Sequence, residues 1–447
     1  MADLDRLAGE VLLPGTDSYD NLRRPAIARF WDASRPAAIV RCASADDVAG
    51  AIAFARAEGL PLAVRSGGHC FAGRSSTSGV LVDVSPMASV SLGDDGVATI
   101  GAGARLGDVY DALAPHGVTI PAGCGATVGI AGLVLGGGLG IMGRSHGLTS
   151  DSLLAATVVL ADGRVVECSA ASEPDLFWAL RGAGGGRFGA AVSFDFATVE
   201  AVDATSIYLA WPGESAAAVI GAWQEWAPDA PDALAASVLV KAGEGHPVSP
   251  YIFGSWLGDE RTATEQLDQL VKRVRADPSA SDLKRLSYRD TKRRLTELGE
   301  SLEEPLEGGH PYNRSEYFRR SLPLETIEAL VSGLAAGDLK GQRRELDFTP
   351  WGGAYNRTPA SATAFAHRSE RFLLKQAVTV DPAIDATTAT TWLDRSWSLT
   401  HPHGAGGIYP NFPEAALDPW SPAYHGENRH RLLEIKRHYD PESIFGP

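Results

Sequence analysis

The chain has few cysteines, no long run of basic residues and no long apolar stretch free of glycine, and each of these deficits closes off a class of answer. Four cysteines (Cys42, Cys70, Cys124, Cys168) among 447 residues, with no CxxC pair, do not make a disulfide framework. A reducing, cytoplasmic setting is the expectation. The first twenty residues carry acids from the third position and lack the basic start and apolar run of a secretion signal. A formal charge of −15, with no basic stripe interleaved with aromatics, makes nucleic acid an unexpected partner. Residues 125–143 are free of charge and long enough to raise the question of a membrane helix, but their eight glycines argue against one. His401 and His403 lack a carboxylate or cysteine at ligand spacing, so no metal is expected; His425, His430 and His438 read as part of a solvated helix.

What is present is an ordinary globular composition at a length that suits two lobes better than one core. Residues 37–44 are rich in β-formers, Ser44 and Asp47 read as a capping box, and Val48, Ile52 and Ala55 give the next segment a helical apolar stripe. Residues 61–64 resume as a strand, so 37–64 is a βαβ unit. A glycine-bearing loop follows, then a strand at 79–85. Hairpins are expected at 89–104, turning at Asp95-Gly96, and at 156–168, turning at Asp162-Gly163. Beyond about residue 203 glycine thins out, and helical patterns appear at 262–276 and 322–336. A last loop and helix are stopped by Pro441. The division implied is 1–202 (core about 33–202), 203–405, and 406–447 returning to the first unit.

Two glycine segments contain GxGxxG, at 138/140/143 and 184/186/189. The fingerprint signifies a dinucleotide fold only when a strand precedes it and a helix opens from it. At the second match a helical stretch, EPDLFWALR, comes first and a β-rich one follows; the first match has no amphipathic helix after it. A Rossmann site is therefore rejected, while a cofactor cradle of another fold stays open, because glycine lets backbone N–H groups approach a phosphate closely.

Five separated segments agree in order: RSGGHC at 65–70, PAGCGATVGIAGLVLGGGLG at 121–140, RSHGLTSD at 144–151, RGAGGGRFG at 181–189, and YPN with GEN near the C-terminus. Together they resemble the vanillyl alcohol oxidase / p-cresol methylhydroxylase flavoprotein superfamily, and within it the berberine bridge enzyme-like FAD-linked oxidases. The resemblance runs from about residue 30 to the end. It implies an α+β fold: a PCMH-type FAD-binding domain of two α/β subdomains, and a substrate domain whose large antiparallel sheet, flanked by helices, covers the flavin. It further implies that His69 bonds the flavin 8α carbon, a step a neutral imidazole nitrogen can make, and that Arg65, Ser66, Gly67, Gly68 and Cys70 form the loop around it. The same resemblance assigns Thr127, Gly129, Gly132, Gly136 and Gly137 to the cofactor, together with Asp151, Gly189, Val192, Asn411 and Asn428. Relatives often carry a second link from a cysteine; counted back from Thr127-Val128-Gly129 that position is Gly125, so Cys124 stands one residue early. Cys124 stays open between a second link and a small thiol in the flavin wall.

Hydride removal from a carbon bearing OH or NH needs a base for the heteroatom's proton. In the family a tyrosine near Y-x-N often serves, which here is Tyr409, with Asn411 orienting it or touching the flavin. Strand alternation in 341–375 is expected to set Asp347, Thr349 and Trp351 on one face, with Asp347 supporting Tyr409 and Trp351 stacking on substrate. The resemblance thus implies an FAD-dependent oxidase of an alcohol, sugar or secondary-metabolite substrate, with O₂ and H₂O₂ as the other partners and no membrane association; a dehydrogenase of the same fold with a different electron acceptor and a catalytically idle FAD-binding scaffold are the alternatives.

Overall fold

The computed structural model describes residues 7–301, 306 and 308–446. Residues 37–64 fold as their pattern predicts, into strand Ala38–Arg41, helix Ala45–Ala57 and strand Leu62–Arg65. The capping box is present: Ser44 Oγ accepts from Asp47 N–H at 3.2 Å while the Asp47 carboxylate accepts from Ser44 N–H at 3.1 Å. Such a cap is worth roughly 1 kcal/mol to a helix. The two strands do not pair with each other. Val80–Asp83 lies between them, parallel to both, and Glu10–Leu12 adds antiparallel to Ala38–Arg41. The apolar run Val80-Leu81-Val82 suits that inner strand, whose four residues, Asp83 included, are all buried.

A five-stranded antiparallel sheet stands beside it, in the order 90–92, 97–101, 190–197, 153–159, 165–169. Both expected hairpins are in it, and both turn through glycines with positive φ, Gly96 (78°) and Gly163 (87°). Strand Ala190–Ala197 joins the hairpins. Helix Pro174–Leu180 precedes the glycine loop 181–189 and this strand follows it, the reverse of a Rossmann unit.

Residues 204–380 supply a seven-stranded antiparallel sheet in the order 280–286, 204–210, 246–257, 234–243, 342–350, 372–380, 310–318. Val238, Val240, Leu346, Phe348, Phe372 and Leu374 point from one face into a core shared with helices Ala216–Trp226, Glu260–Val274, Leu324–Leu334 and Thr387–Thr400. The other face turns toward the glycine-rich part of the chain, where Ala235, Phe253 and Leu257 pack on the core of the first two sheets. C-terminal helix Arg429–Tyr439 returns to that same core through Leu432 and Ile435. The architecture is α+β with a large antiparallel sheet flanked by helices. Among the described residues no helix is long and apolar enough to cross a membrane.

Candidate active site

A cavity of about 580 Å³ opens where the 66–70 loop, the 128–139 segment, the 184–189 loop and residues 409–413 converge. Glycine makes the convergence possible. A Cβ on Gly67 would lie 2.3 Å from Gly129 N, and one on Gly129 would lie 2.3 Å from Ser66 Oγ, so the two loops touch backbone to backbone. Ser66 Oγ donates to Ala102 O at 2.7 Å and fixes the start of the loop. Gly68 takes φ of +73°, which turns the chain so that His69 and Cys70 line the cavity. His69 Nε2 lies 3.2 Å from Thr127 Oγ1, and the ring also interacts with the Thr127 backbone. Burial holds the imidazole below its usual pKa, with Thr127 opposing and Arg105 adding, so the ring is neutral near pH 7.

Across the cavity Tyr409 is 1% exposed. Its hydroxyl oxygen accepts from Gly138 N–H at 3.1 Å, Leu139 N–H at 3.0 Å and Asn411 Nδ2 at 3.2 Å. Burial pushes the phenol up to about 12, against these three donors, which favour the ionised form. Asn411 Nδ2 also donates to Leu133 O at 2.9 Å, and a Cβ on Gly136 would fall 2.1 Å from Asn411 Oδ1. Gly136 therefore admits Asn411 rather than lining the cavity itself. Gly137, with φ of +110°, packs against Phe365.

Strand Gln342–Pro350 buries every second residue, which sets Glu345, Asp347 and Thr349 on the half-buried face. Lys375 bridges the two acids, at 2.9 Å from Glu345 and 3.6 Å from Asp347, and lies 5.3 Å from the ring of Phe412, a cavity residue. Burial acts to raise both carboxyls. Lys375 and Lys241 override it at Glu345, leaving that group at about 2, while at Asp347 burial prevails with Glu345 adding to it.

Trp351 does not join that face, which corrects the expectation of a stacking platform. It follows the strand and is fully buried, with its ring 4.3 Å from Tyr355 and edge-on to Tyr409 at 6.3 Å. Regular alternation ends at Pro350, so extrapolating it one residue too far misplaced the indole; Trp351 buttresses Tyr409 from behind. Other expected cofactor residues are likewise assigned to the frame. Arg65 turns away to hold Leu22 O, Arg23 O and Ser75 O. Asp151 forms a two-pronged ion pair with Arg368 at 2.6 and 2.7 Å, and Asn428 donates to Ala360 O and Thr363 O. Val192 is core, and it is Gly189 and Ala191 that reach the cavity. Cys124 is not a cavity residue: its carbonyl is held by Thr296 Oγ1 at 2.7 Å, and it packs with the first core. His425 is fully buried rather than solvated, its Nε2 3.0 Å from Pro419 O.

Sequence reasoning passed over Phe71, Arg74, Arg187 and Phe412, all of which line the cavity. Phe71 and Arg74 follow His69 in the same loop and Arg187 sits inside a motif already singled out, so proximity to those motifs was the available signal.

A flat, extended cofactor fits these walls. Gly132 and Gly186 line the cavity, and a Cβ on either would meet no protein atom within 4 Å. At Gly132 the open space leaves room for a ligand, whereas Gly186 also has a backbone reason to be glycine, its φ of +65°. Val64, Val84 and Ala191 offer apolar wall, and Gly184 and Gly185 bare backbone.

Comparison with known proteins agrees. Residues 36–169 match the FAD binding domain family, and residues 408–446 the family described as "Berberine and berberine like". The FAD-linked oxidoreductase YvdP of Bacillus subtilis is 31% identical over 98% of this chain and 97% of its own. The solved structure of BBE-like 1 from Physcomitrella patens superposes with a TM-score of 0.89 at 24% identity, covering 100% of this chain and 97% of that one. A structure of glucooligosaccharide oxidase from Acremonium strictum, described as carrying 6-S-cysteinyl, 8α-N1-histidyl FAD, gives a TM-score of 0.87 at 26% identity, over 100% of this chain and 97% of that one.

Proposed function

The chain belongs to the berberine bridge enzyme-like FAD-linked oxidoreductases, and on that premise we propose that it is an oxidase of an alcohol, sugar or secondary-metabolite substrate, holding its FAD covalently through His69 and using O₂ as acceptor. When bound, the flavin supplies a two-electron acceptor for a hydride from the substrate carbon. His69 holds it through a ring nitrogen, since burial keeps the ring neutral and nucleophilic. The likeness to a protein described as 8α-N1-histidyl supports Nδ1. Cys124, half-buried against the first core and not among the residues lining the cavity, is assigned no second bond.

Tyr409 takes the substrate's hydroxyl or amine proton at its phenolic oxygen. The observation that carries this reading is the set of three N–H donors converging on that oxygen at the cavity wall, since they stabilise a phenolate. Asn411 orients it, and Asp347 with Lys375 forms the polar sheet face toward the substrate. Residues 1–202 and 406–447 would then form the FAD-binding unit and 203–405 the substrate unit.

The test is to precipitate purified protein with acid and follow the yellow colour, then repeat with His69→Ala. Colour should stay with the native pellet and leave that of the variant. A colourless native pellet refutes the covalent claim, and colour retained by the variant assigns a bond to another residue. Peroxide released in air with a panel of alcohols and sugars supports the oxidase; turnover only with an artificial dye acceptor overturns the use of O₂.

A further inference from the structure

Two arginines face the cofactor cavity without an acid to neutralise them. Arg187 is 7% exposed; its guanidinium donates to Pro419 O at 2.6 Å and lies 4.8 Å from the ring of Trp420. Arg74 is half-buried and lies 5.6 Å from the ring of Tyr424. Both line the cavity. Among the described residues neither forms an ion pair with a carboxylate, and every contact just named is to a carbonyl or a ring. Asp418 acts on Arg187 only weakly, and the other groups facing it are Tyr424 and Cys70. Burial first, and then the like charge of Arg74, bring Arg187 down to about 9, so it still carries its charge at neutral pH. A desolvated cation is costly unless paired, and two beside each other repel. Such a pair calls for a permanent counter-charge that the protein does not provide.

We propose that Arg74 and Arg187 form an anion subsite of the cavity that takes the diphosphate of FAD. The inference rests on the assignment of FAD to this cavity. Diphosphate is chosen over the ring because the oxidised ring system is neutral, so its negative charge arises only on reduction, whereas the diphosphate is charged in every state. A guanidinium also matches the paired oxygens of a phosphate, two N–H groups to two acceptors. The subsite makes the cavity selective for FAD over flavins that lack the diphosphate and makes binding sensitive to ionic strength.

The experiment uses full-length protein with His69→Ala and Cys124→Ala together, so that neither candidate linkage holds the flavin. Apoprotein is titrated with FAD and with riboflavin by fluorescence quenching at low and high salt. Adding Arg187→Gln or Arg74→Gln should weaken FAD at least tenfold, leave riboflavin within about twofold, and flatten the salt dependence for FAD. Arg187→Lys, which keeps the charge, should recover part of the loss. The proposal is overturned if FAD affinity is unchanged, if FAD and riboflavin weaken together, or if the only change is in the flavin midpoint potential, which would place the charge against the ring. Should Arg187→Gln fail to fold, Arg74→Gln decides by the same criteria. Failure of the parent double variant to bind any flavin would count against FAD in this cavity, a different outcome from lost selectivity.

Discussion

Gly132→Ala separates the stability of the protein from its hold on the cofactor, because the two should move in opposite directions. Gly132 lies within the short helix Ile130–Leu135, where exchange of glycine for alanine stabilises by roughly 0.5–1 kcal/mol. No protein atom lies within 4 Å of the added methyl, so no clash cancels the gain. The methyl does enter the cavity wall. If it displaces bound FAD, a penalty of the size found for overpacking, about 1–3 kcal/mol, weakens binding by about 5- to 150-fold. Gly67→Ala is the contrast: its Cβ falls 2.3 Å from Gly129 N, and backbone on backbone cannot yield, so both stability and binding should fall. The assay is urea unfolding of apoprotein in the His69→Ala background, paired with fluorescence titration by FAD. A rise in stability with unchanged FAD affinity would show that Gly132 does not face the cofactor. A drop in stability would show that the space beside it is not open.

Tyr409→Phe should lower kcat by about 10²- to 10⁴-fold, the range for loss of a positioned acid–base group, with a stability loss of about 1–3 kcal/mol because the Gly138 and Leu139 N–H groups lose their acceptor. In the native enzyme the base form of a phenol at about 12 grows as pH rises, so kcat/KM should climb about tenfold per unit over the neutral to alkaline range; a flat profile that persists in Tyr409→Phe removes Tyr409 as the base. Gly125→Cys restores the register expected for a second flavin link, and together with His69→Ala should return colour to the acid pellet, while Cys124→Ala leaves native attachment unchanged; a Cβ at 125 meets only the Val128 side chain, Cγ2 at 3.0 Å and Cβ at 3.9 Å. Asp151→Asn breaks a buried pair with Arg368, side chains 11% and 2% exposed, and should cost about 3–5 kcal/mol in chemical unfolding; loss of flavin from protein of unchanged stability would instead assign Asp151 to the cofactor.

The elements read from sequence were those whose signals are local. The Ser44–Asp47 box, the positive-φ glycines of two hairpins and the reversed helix–loop–strand order around 181–189 each follow from a few neighbouring residues and their own backbone needs. Pairing was not legible: nothing nearby says that Val80–Asp83 inserts between the two strands of the βαβ unit. Trp351, Asp151 and Asn428 show the corresponding limit for the site. Each lies in a motif, but a motif does not say which way a side chain points once a strand ends or an arginine 217 residues away comes within 2.7 Å.

By itself the sequence determined the loop chemistry, namely where glycine admits a close approach, that His69 stands at the end of a strand and loop, and that Cys124 is one residue out of register. Only the tertiary structure decided that Tyr409 meets the N–H groups of Gly138 and Leu139 some 270 residues earlier in the chain, that Trp351 supports it from behind, and that Arg74 and Arg187 share one cavity. The reason is physical: backbone conformation is set by neighbours in the chain, whereas burial, electrostatic field and hydrogen-bond partnership belong to groups that only packing brings together.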